Sequence, residues 1–103
     1  MKFNIRDIKE ALNNDKIQWS GHILSRMQQR NIRIKDIINC LSYGEIIEYY
    51  EDDKPYPSCL VSGITEGNRN IHVVCAYDYG NVWMITSYYP SKTEWLDDYK
   101  TRR

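Results

Sequence analysis

The sequence predicts a single α+β domain over residues 1–103, in which three N-terminal helices pack on one face of a small antiparallel sheet of about four strands. Two observations lead to this prediction. Apolar residues recur at helical spacing up to Gly44, whereas segments rich in Val, Ile and Tyr follow from Glu45 onward, separated by short turns. A chain of 103 residues can build one hydrophobic core and leaves no room for a separate cofactor domain.

The three predicted helices each carry an apolar stripe with a period of three to four residues. The first covers Ile5 to Asn13. After a short extended piece at residues 16–19, the second opens at Ser20-Gly21 and runs to about residue 30. The third spans about Ile34 to Ser42 and stops at glycine 44.

Four strands are predicted in the second half of the chain, at residues 45–51, 58–65, 70–78 and 82–89. The turn sequences at 66–69 and 79–81 are short enough to join antiparallel neighbours. The tail from Ser91 to Tyr99 is predicted to form a short helix that docks through Trp95 and Leu96, and residues 101–103 are predicted to stay loose.

Charged residues are balanced over the whole chain but unevenly distributed along it. Fourteen Lys and Arg balance fourteen Asp and Glu, so no global field attracts nucleic acid. However, residues 1–35 hold eight basic against three acidic residues, whereas residues 36–53 hold six acidic residues and no basic one. We expect a local basic surface suited to phosphates and, at residues 45–53, either an acidic surface for a basic partner or a solvated loop.

Cysteine usage and hydropathy indicate the cellular compartment. The three cysteines are odd in number and lack a C-x-x-C pair, so neither a disulfide scaffold nor a structural zinc site is predicted. The sequence shows no signal peptide and no apolar run of membrane-spanning length. We therefore expect a cytoplasmic protein that makes no membrane contact and carries no cofactor.

The second helix carries the residues most suggestive of chemistry, His22, Arg26 and Arg30. Residues four apart are neighbours on a helix surface, so one imidazole and two guanidinium groups share a face. Arg offers a planar fork of donors to phosphate oxygens, and His moves protons near neutral pH. This face predicts phosphodiester chemistry on RNA; the alternative is a solvated face with a packing or capping histidine.

Further candidate residues lie on the predicted third and fourth strands. His72 stands in an apolar strand, where it is either a core histidine bonded to backbone or a catalytic group that meets His22 from beneath the second helix. Tyr88, Tyr89 and Lys92, at the end of the last strand, are candidates for base stacking and a further phosphate contact, or are structural. Neither a third histidine nor a carboxylate at ligand spacing accompanies the histidines, so the predicted reaction needs no metal.

Several of these segments occur together in a known kind of domain. The motif His22-x-x-x-Arg26-Met27-x-x-Arg30 and the later strand residues 71–77 and 88–90 resemble, in order and spacing, small bacterial and archaeal domains of unknown function. Those domains are often encoded beside a zinc-finger antitoxin of the YgiT/MqsA type. The similarity runs from residue 19 to residue 103, although Arg33 stands where the pattern has a Ser or Thr helix cap.

The resemblance implies a fold and a function. Those domains are similar to RelE/ParE-type toxins, in which N-terminal helices pack on a small curved antiparallel sheet. It implies a type II toxin that cleaves mRNA without metal, on or off the ribosome, and is neutralised by a protein antitoxin. In that function Arg26 and Arg30 would hold the phosphate and His22 or His72 would transfer protons. The alternative is a non-catalytic module of the same fold that binds a protein target through the same basic face.

Overall fold

The computed structural model describes residues 3–103 and arranges them as helix, strand, two helices and four strands. The elements are α1 (Ile5–Asn13), β1 (Ile17–Gln18), α2 (Gly21–Gln29), α3 (Ile34–Tyr43), β2 (Glu45–Tyr50), β3 (Ser58–Ile64), β4 (Asn70–Asp78) and β5 (Asn81–Tyr88). All three predicted helices and all four predicted strands form within one or two residues of their expected bounds. The predicted α+β fold is therefore confirmed.

The five strands form one mixed sheet in the order β1-β5-β4-β3-β2. Strands β2 to β5 pair antiparallel, as expected. The short extended piece near residue 17 joins the sheet as β1, parallel to β5, with Ile17 opposite Val82 and Gln18 opposite Trp83. The expected number of about four strands was one too few, because a two-residue strand is too short to show an alternating pattern.

The helices cover one face of the sheet and enclose the main hydrophobic core. Ile8 of α1, Met27 of α2 and Ile37 of α3 are buried against this face. The strand residues that meet them are also buried, namely Cys59, Val61, Ile71, Val73, Cys75, Val82 and Met84. Helices on one face of the sheet were predicted, and the packing confirms it.

The opposite face of the sheet is covered by the C-terminal segment, residues 91–103. Trp95 is 1% exposed and packs there, whereas Leu96 is 39% exposed. Trp95 and Arg102 form an antiparallel bridge, and the N–H of Arg103 donates to the Glu94 carbonyl at 3.0 Å. The predicted tail helix and the predicted loose terminus are therefore wrong, as is the docking role of Leu96.

A local turn explains why this segment folds back instead of continuing as a helix. The Asp98 carboxylate accepts hydrogen bonds from the backbone N–H groups of Lys100 and Thr101, at 2.9 and 3.0 Å. Tyr99, between Asp98 and Lys100, has a φ of 56°, in the left-handed region. Such local side-chain to backbone bonds compete with a helix, and here they reverse the chain direction.

Strand β5 has an irregular register that changes which residues share a face. Cys75 of β4 lies opposite Met84, but Val74 lies opposite Thr86, so Ile85 has no partner across the ladder. Thr86 therefore shares a face with Val74, on the side of the sheet away from the main core, although simple alternation predicts that it shares a face with Met84. Strand β1 pairs only with residues 82 and 83, so the rest of the outer edge of β5 has no neighbouring strand, and α2 lies beside it.

Candidate functional site

Helix α2 presents two of the predicted site residues beside the open edge of β5. The hydroxyl oxygen of Ser20 accepts from the Ile23 N–H at 3.1 Å and caps the helix start. Met27 is buried and Ile23 is half-buried, which fixes the inner face of the helix. His22 and Arg26 consequently lie on an exposed flank.

His22 and Arg26 share a small cavity of about 50 Å³ with residues of the β5 edge. Its other lining residues include Thr86 and Ser87. Within residues 3–103, no carboxylate lies at salt-bridge distance from Arg26. An imidazole, a guanidinium without a carboxylate partner and a hydroxyl around one cavity can hold an anionic oxygen and transfer a proton beside it.

Arg30 reaches the same edge but is already engaged by the protein. Its side chain is half-buried, and Nη1 donates to the Ser87 carbonyl at 2.6 Å and to the Thr86 hydroxyl at 3.3 Å. The guanidinium therefore ties the end of α2 to the uncovered backbone of β5. This contact differs from the phosphate contact expected from the sequence: Arg30 holds the end of α2 against β5.

His72 lies on the other face of the sheet, under the C-terminal segment. It is fully buried, and its ring packs edge-on against Trp95 with centroids 4.6 Å apart. Nε2 lies 2.6 Å from the Tyr99 carbonyl, an acceptor, so Nε2 donates; Nδ1 then accepts from the Tyr88 hydroxyl at 3.3 Å. Of the two alternatives for this residue, the structure shows the buried histidine bonded to backbone, and the sheet separates it from His22.

The environment of His72 also acts on its protonation. Burial is the largest influence and lowers the pKa of His72 below its usual value. The Tyr99 carbonyl and the Glu48 carboxylate oppose this shift, and the charge of Arg102 adds to it. The same packing that removes the ring from the solvent therefore favours its neutral form.

The remaining predicted site residues are spread over three places. The hydroxyl of Tyr88 bonds to His72 on the C-terminal side of the sheet, and the Lys92 carbonyl accepts from Nε of Arg103. Tyr89 lies next to α2 instead, where its hydroxyl donates to the Asn31 carbonyl at 2.9 Å. The structure therefore brings together His22, Arg26 and Arg30 but none of these other residues with them.

A larger groove, which sequence reasoning missed, lies on the opposite flank of α2. It measures about 610 Å³ and is bounded by α2, the start of α3 and the turn at residues 65–69. Arg33, Arg69 and Tyr89 are among its lining residues. The one available signal was two arginines beside turn residues, which is too common a pattern to identify a site.

Asp36 joins two walls of this groove and helps to fix its shape. Its carboxylate accepts from the backbone N–H of Arg33 at 3.0 Å and from that of Glu66 at 3.3 Å. Burial raises the pKa of Asp36, but these hydrogen bonds, together with the side-chain contact and charge of Arg33 at 3.5 Å, outweigh burial and lower it. Asp36 thus supplies the cap at the start of α3 that Arg33, as an arginine, does not provide through its side chain.

The acidic stretch is partly covered by the chain itself. Arg102 donates two hydrogen bonds to the Glu48 carboxylate, at 2.6 and 3.1 Å, and Lys100 pairs with Glu45 at 2.5 Å. The bond from Arg102 is the main reason that the pKa of Glu48 is lowered. Two acidic residues expected to meet a basic partner are therefore already paired with the C-terminal segment.

The described part of the chain has neither a cluster of metal-ligating side chains nor a membrane-spanning helix. No group of three or more His, Cys, Asp or Glu side chains in residues 3–103 could hold a metal ion. No helix in the same range is long and apolar enough to cross a membrane.

One sequence family matches most of the chain. The chain belongs to the family described as a domain of unknown function (DUF4258), whose sequence profile matches residues 19–89. The matched range begins just before α2 and ends just after β5, so it includes the His22 and Arg26 cavity and the groove. No curated protein and no solved structure matches the chain.

Proposed function

We propose that the edge formed by α2 and β5 binds the phosphodiester backbone of RNA, and that the chain is a type II toxin. The observation that carries the proposal is that His22 and Arg26 line one cavity while Arg26 has no carboxylate partner among residues 3–103. A solvent-exposed guanidinium fork matches the geometry of phosphate oxygens. The resemblance to RelE/ParE-type toxins supports RNA as the ligand that carries the phosphate.

A second candidate, cleavage of the bound RNA, is favoured by the position of His22 at the same cavity. In this reaction His22 takes the proton of a ribose 2′-hydroxyl, and the 2′-oxygen attacks the adjacent phosphorus. The bond from phosphorus to the 5′-oxygen breaks and leaves a 2′,3′-cyclic phosphate; water protonates the 5′-oxygen, and the hydroxide so formed takes the proton from His22. Arg26 stabilises the charge that develops on the phosphoryl oxygens. Because His72 lies behind the sheet, His22 would be the only imidazole in this mechanism.

RNA binding is tested by the salt dependence of affinity for a single-stranded RNA. Each phosphate contact contributes about 0.7 to the slope of log affinity against log salt concentration. We expect Arg26→Ala to weaken binding and to reduce the slope by about this amount. Arg6→Ala is the matched control, because Arg6 is exposed on α1, away from the cavity. Equal effects of the two variants would refute a specific contact by Arg26.

Cleavage is tested separately on the same RNA by following the products in a gel. We expect His22→Gln to abolish cleavage while RNA affinity stays close to that of the wild type. If the wild type binds the RNA but does not cleave it, the RNA-binding proposal stands and the cleavage proposal is refuted. Growth inhibition that survives both Arg26→Ala and His22→Gln would favour the non-catalytic module that acts on a protein target.

The toxin proposal also requires a protein antitoxin, which we expect to be encoded next to this chain and to be of the zinc-finger type. Such a partner would neutralise the chain by covering the α2 and β5 edge or its rim. Co-expression followed by co-purification tests the complex, and hydrogen exchange then maps it. Protection confined to α1 would contradict this part of the proposal.

A further inference from the structure

The groove of about 610 Å³ has a chemistry that the proposed phosphate site does not use. Polar groups line it from three parts of the chain. Gln28 lies in the last turn of α2, and Asn31 and Arg33 lie in the connection between α2 and α3. Arg69 belongs to the turn before β4. The exposed side chain of Leu24 adds an apolar patch. A mixed lining of amides, cations and apolar surface suits a planar polar ligand.

Arg69 is held in an unusual position over an aromatic ring. Its guanidinium carbon lies 3.4 Å from the centroid of the Tyr89 ring. The ring is fixed by its hydroxyl bond to the Asn31 carbonyl, and the turn is fixed by two bonds between Thr65 and Arg69, at 2.7 and 3.0 Å. One face of the guanidinium is thus supported by Tyr89 while the residue remains exposed.

The acidic residues near Arg69 are occupied by other partners. The Asp36 carboxylate accepts from two backbone N–H groups, and Glu66 pairs with Lys35 at 3.1 Å. Among residues 3–103, no carboxylate is at salt-bridge distance from Arg69. The charge and the outer plane of this guanidinium are therefore available to a ligand.

We propose that this groove binds an unpaired nucleobase of the RNA strand whose phosphate lies at the Arg26 cavity, with the base stacked on Arg69. Arg guanidinium planes are a common stacking surface for splayed-out RNA bases. The amides of Gln28 and Asn31 are donors and acceptors for a base edge. The Arg33 side chain is 62% exposed; its Nε lies 3.5 Å from the Asp36 carboxylate, and its other N–H groups can donate to a neighbouring phosphate. This inference rests on the proposed RNA function.

The cavity and the groove share one segment of the chain in their linings. Thr86 lines the Arg26 cavity and Tyr89 lines the groove, and they are three residues apart on an extended segment. At the rise of a strand, this separation is about 10 Å. Arg30, at the end of α2, donates to the Ser87 carbonyl, and the Tyr89 hydroxyl donates to the Asn31 carbonyl just after α2. These two contacts form the wall between the two sites.

The experiment combines protein variants with abasic RNA. A fluorescent single-stranded RNA of about 12 nucleotides, within the site sizes of single-strand binding folds, is titrated by anisotropy. Abasic positions are introduced one at a time. We expect one position at which base removal weakens wild-type binding about 5- to 150-fold, the range of a single stacked base. Arg69→Ala should lose affinity for intact RNA by the same factor and be insensitive to base removal at that position.

Two further variants identify the kind of contact. Arg69→Lys keeps the positive charge but loses the planar guanidinium group. If a base stacks on Arg69, this variant should bind RNA as weakly as Arg69→Ala does. If Arg69 only contacts a phosphate, this variant should bind RNA with the affinity of the wild type. Arg6→Ala is again the matched control and should leave both the affinity and the abasic profile unchanged. Thermal unfolding of each variant checks that the domain is folded at the assay temperature.

The outcomes separate this inference from the proposed function. If Arg26→Ala weakens binding but no abasic position matters, or if Arg69→Lys restores full affinity, the base site is refuted and the phosphate site stands. If the wild type binds no RNA, both fail. If Arg69→Ala leaves RNA binding intact but breaks the complex with a co-expressed neighbouring protein, the groove is a protein-docking site and the inference is overturned.

Discussion

Replacing Arg30 with Ala should destabilise the domain, whereas replacing Arg26 should not, although the sequence presents the two residues as equivalents on one helix face. The Arg30 guanidinium is half-buried and donates to the Ser87 carbonyl at 2.6 Å and to the Thr86 hydroxyl at 3.3 Å. A hydrogen bond from a charged donor contributes about 1.5–3 kcal/mol to stability. The longer bond adds little, so we expect Arg30→Ala to lose about 2 kcal/mol.

Arg26 provides the matched comparison within the same helix. It is exposed and has no carboxylate partner among residues 3–103, so Arg26→Ala should change the free energy of unfolding by no more than about 0.5 kcal/mol. Urea unfolding followed by tryptophan fluorescence measures both values. For a domain of this size, a loss of about 2 kcal/mol corresponds to a melting temperature roughly 8–15 °C lower.

For RNA affinity the order of the two variants should be reversed: Arg26→Ala should be the more affected one. Measured well below the melting temperature, Arg30→Ala should bind RNA nearly as well as the wild type, because its guanidinium is occupied by β5. Arg26→Ala should be stable and bind weakly. Equal stability of the two variants within about 0.5 kcal/mol would refute the structural role of Arg30.

Three further predictions concern the C-terminal cover, pH and metal. Trp95→Ala should lower the free energy of unfolding in urea by about 3–5 kcal/mol, because the side chain is 1% exposed and packs against His72. A loss under about 1 kcal/mol would show that the C-terminal segment is not part of the core. Folding lowers the pKa of His72, so below about pH 6.5 the unfolded chain binds more protons than the folded chain. The free energy of unfolding should therefore decrease as the pH falls from about 6.5 to about 5.5. This pH range lies above the one in which Glu48, whose pKa is lowered, takes up a proton. His72→Gln should flatten this fall, and an unchanged slope would contradict it. RNA binding and any cleavage should persist in a chelator; loss on chelation and recovery with a divalent metal would refute the metal-independent proposal.

The elements and the α2 surface could be predicted from the sequence because they depend on residues close together in the chain. Helical periodicity relates residues three or four apart, and it placed His22 and Arg26 on one flank of α2. Strand alternation relates residues two apart and placed His72 on one face of β4, but it could not say which face the helices would cover. One irregularity of register in β5 was enough to reverse the face expected for Thr86.

Tertiary structure alone decided what each candidate residue contacts, because those contacts join distant parts of the chain. Arg30 and Thr86 are 56 residues apart in sequence, and His72 and Tyr99 are 27 apart. No local pattern encodes such pairs, since they depend on how the helices and the C-terminal segment pack on the two faces of the sheet. That packing buried His72, gave Arg30 a partner in β5, and placed Arg69 on Tyr89.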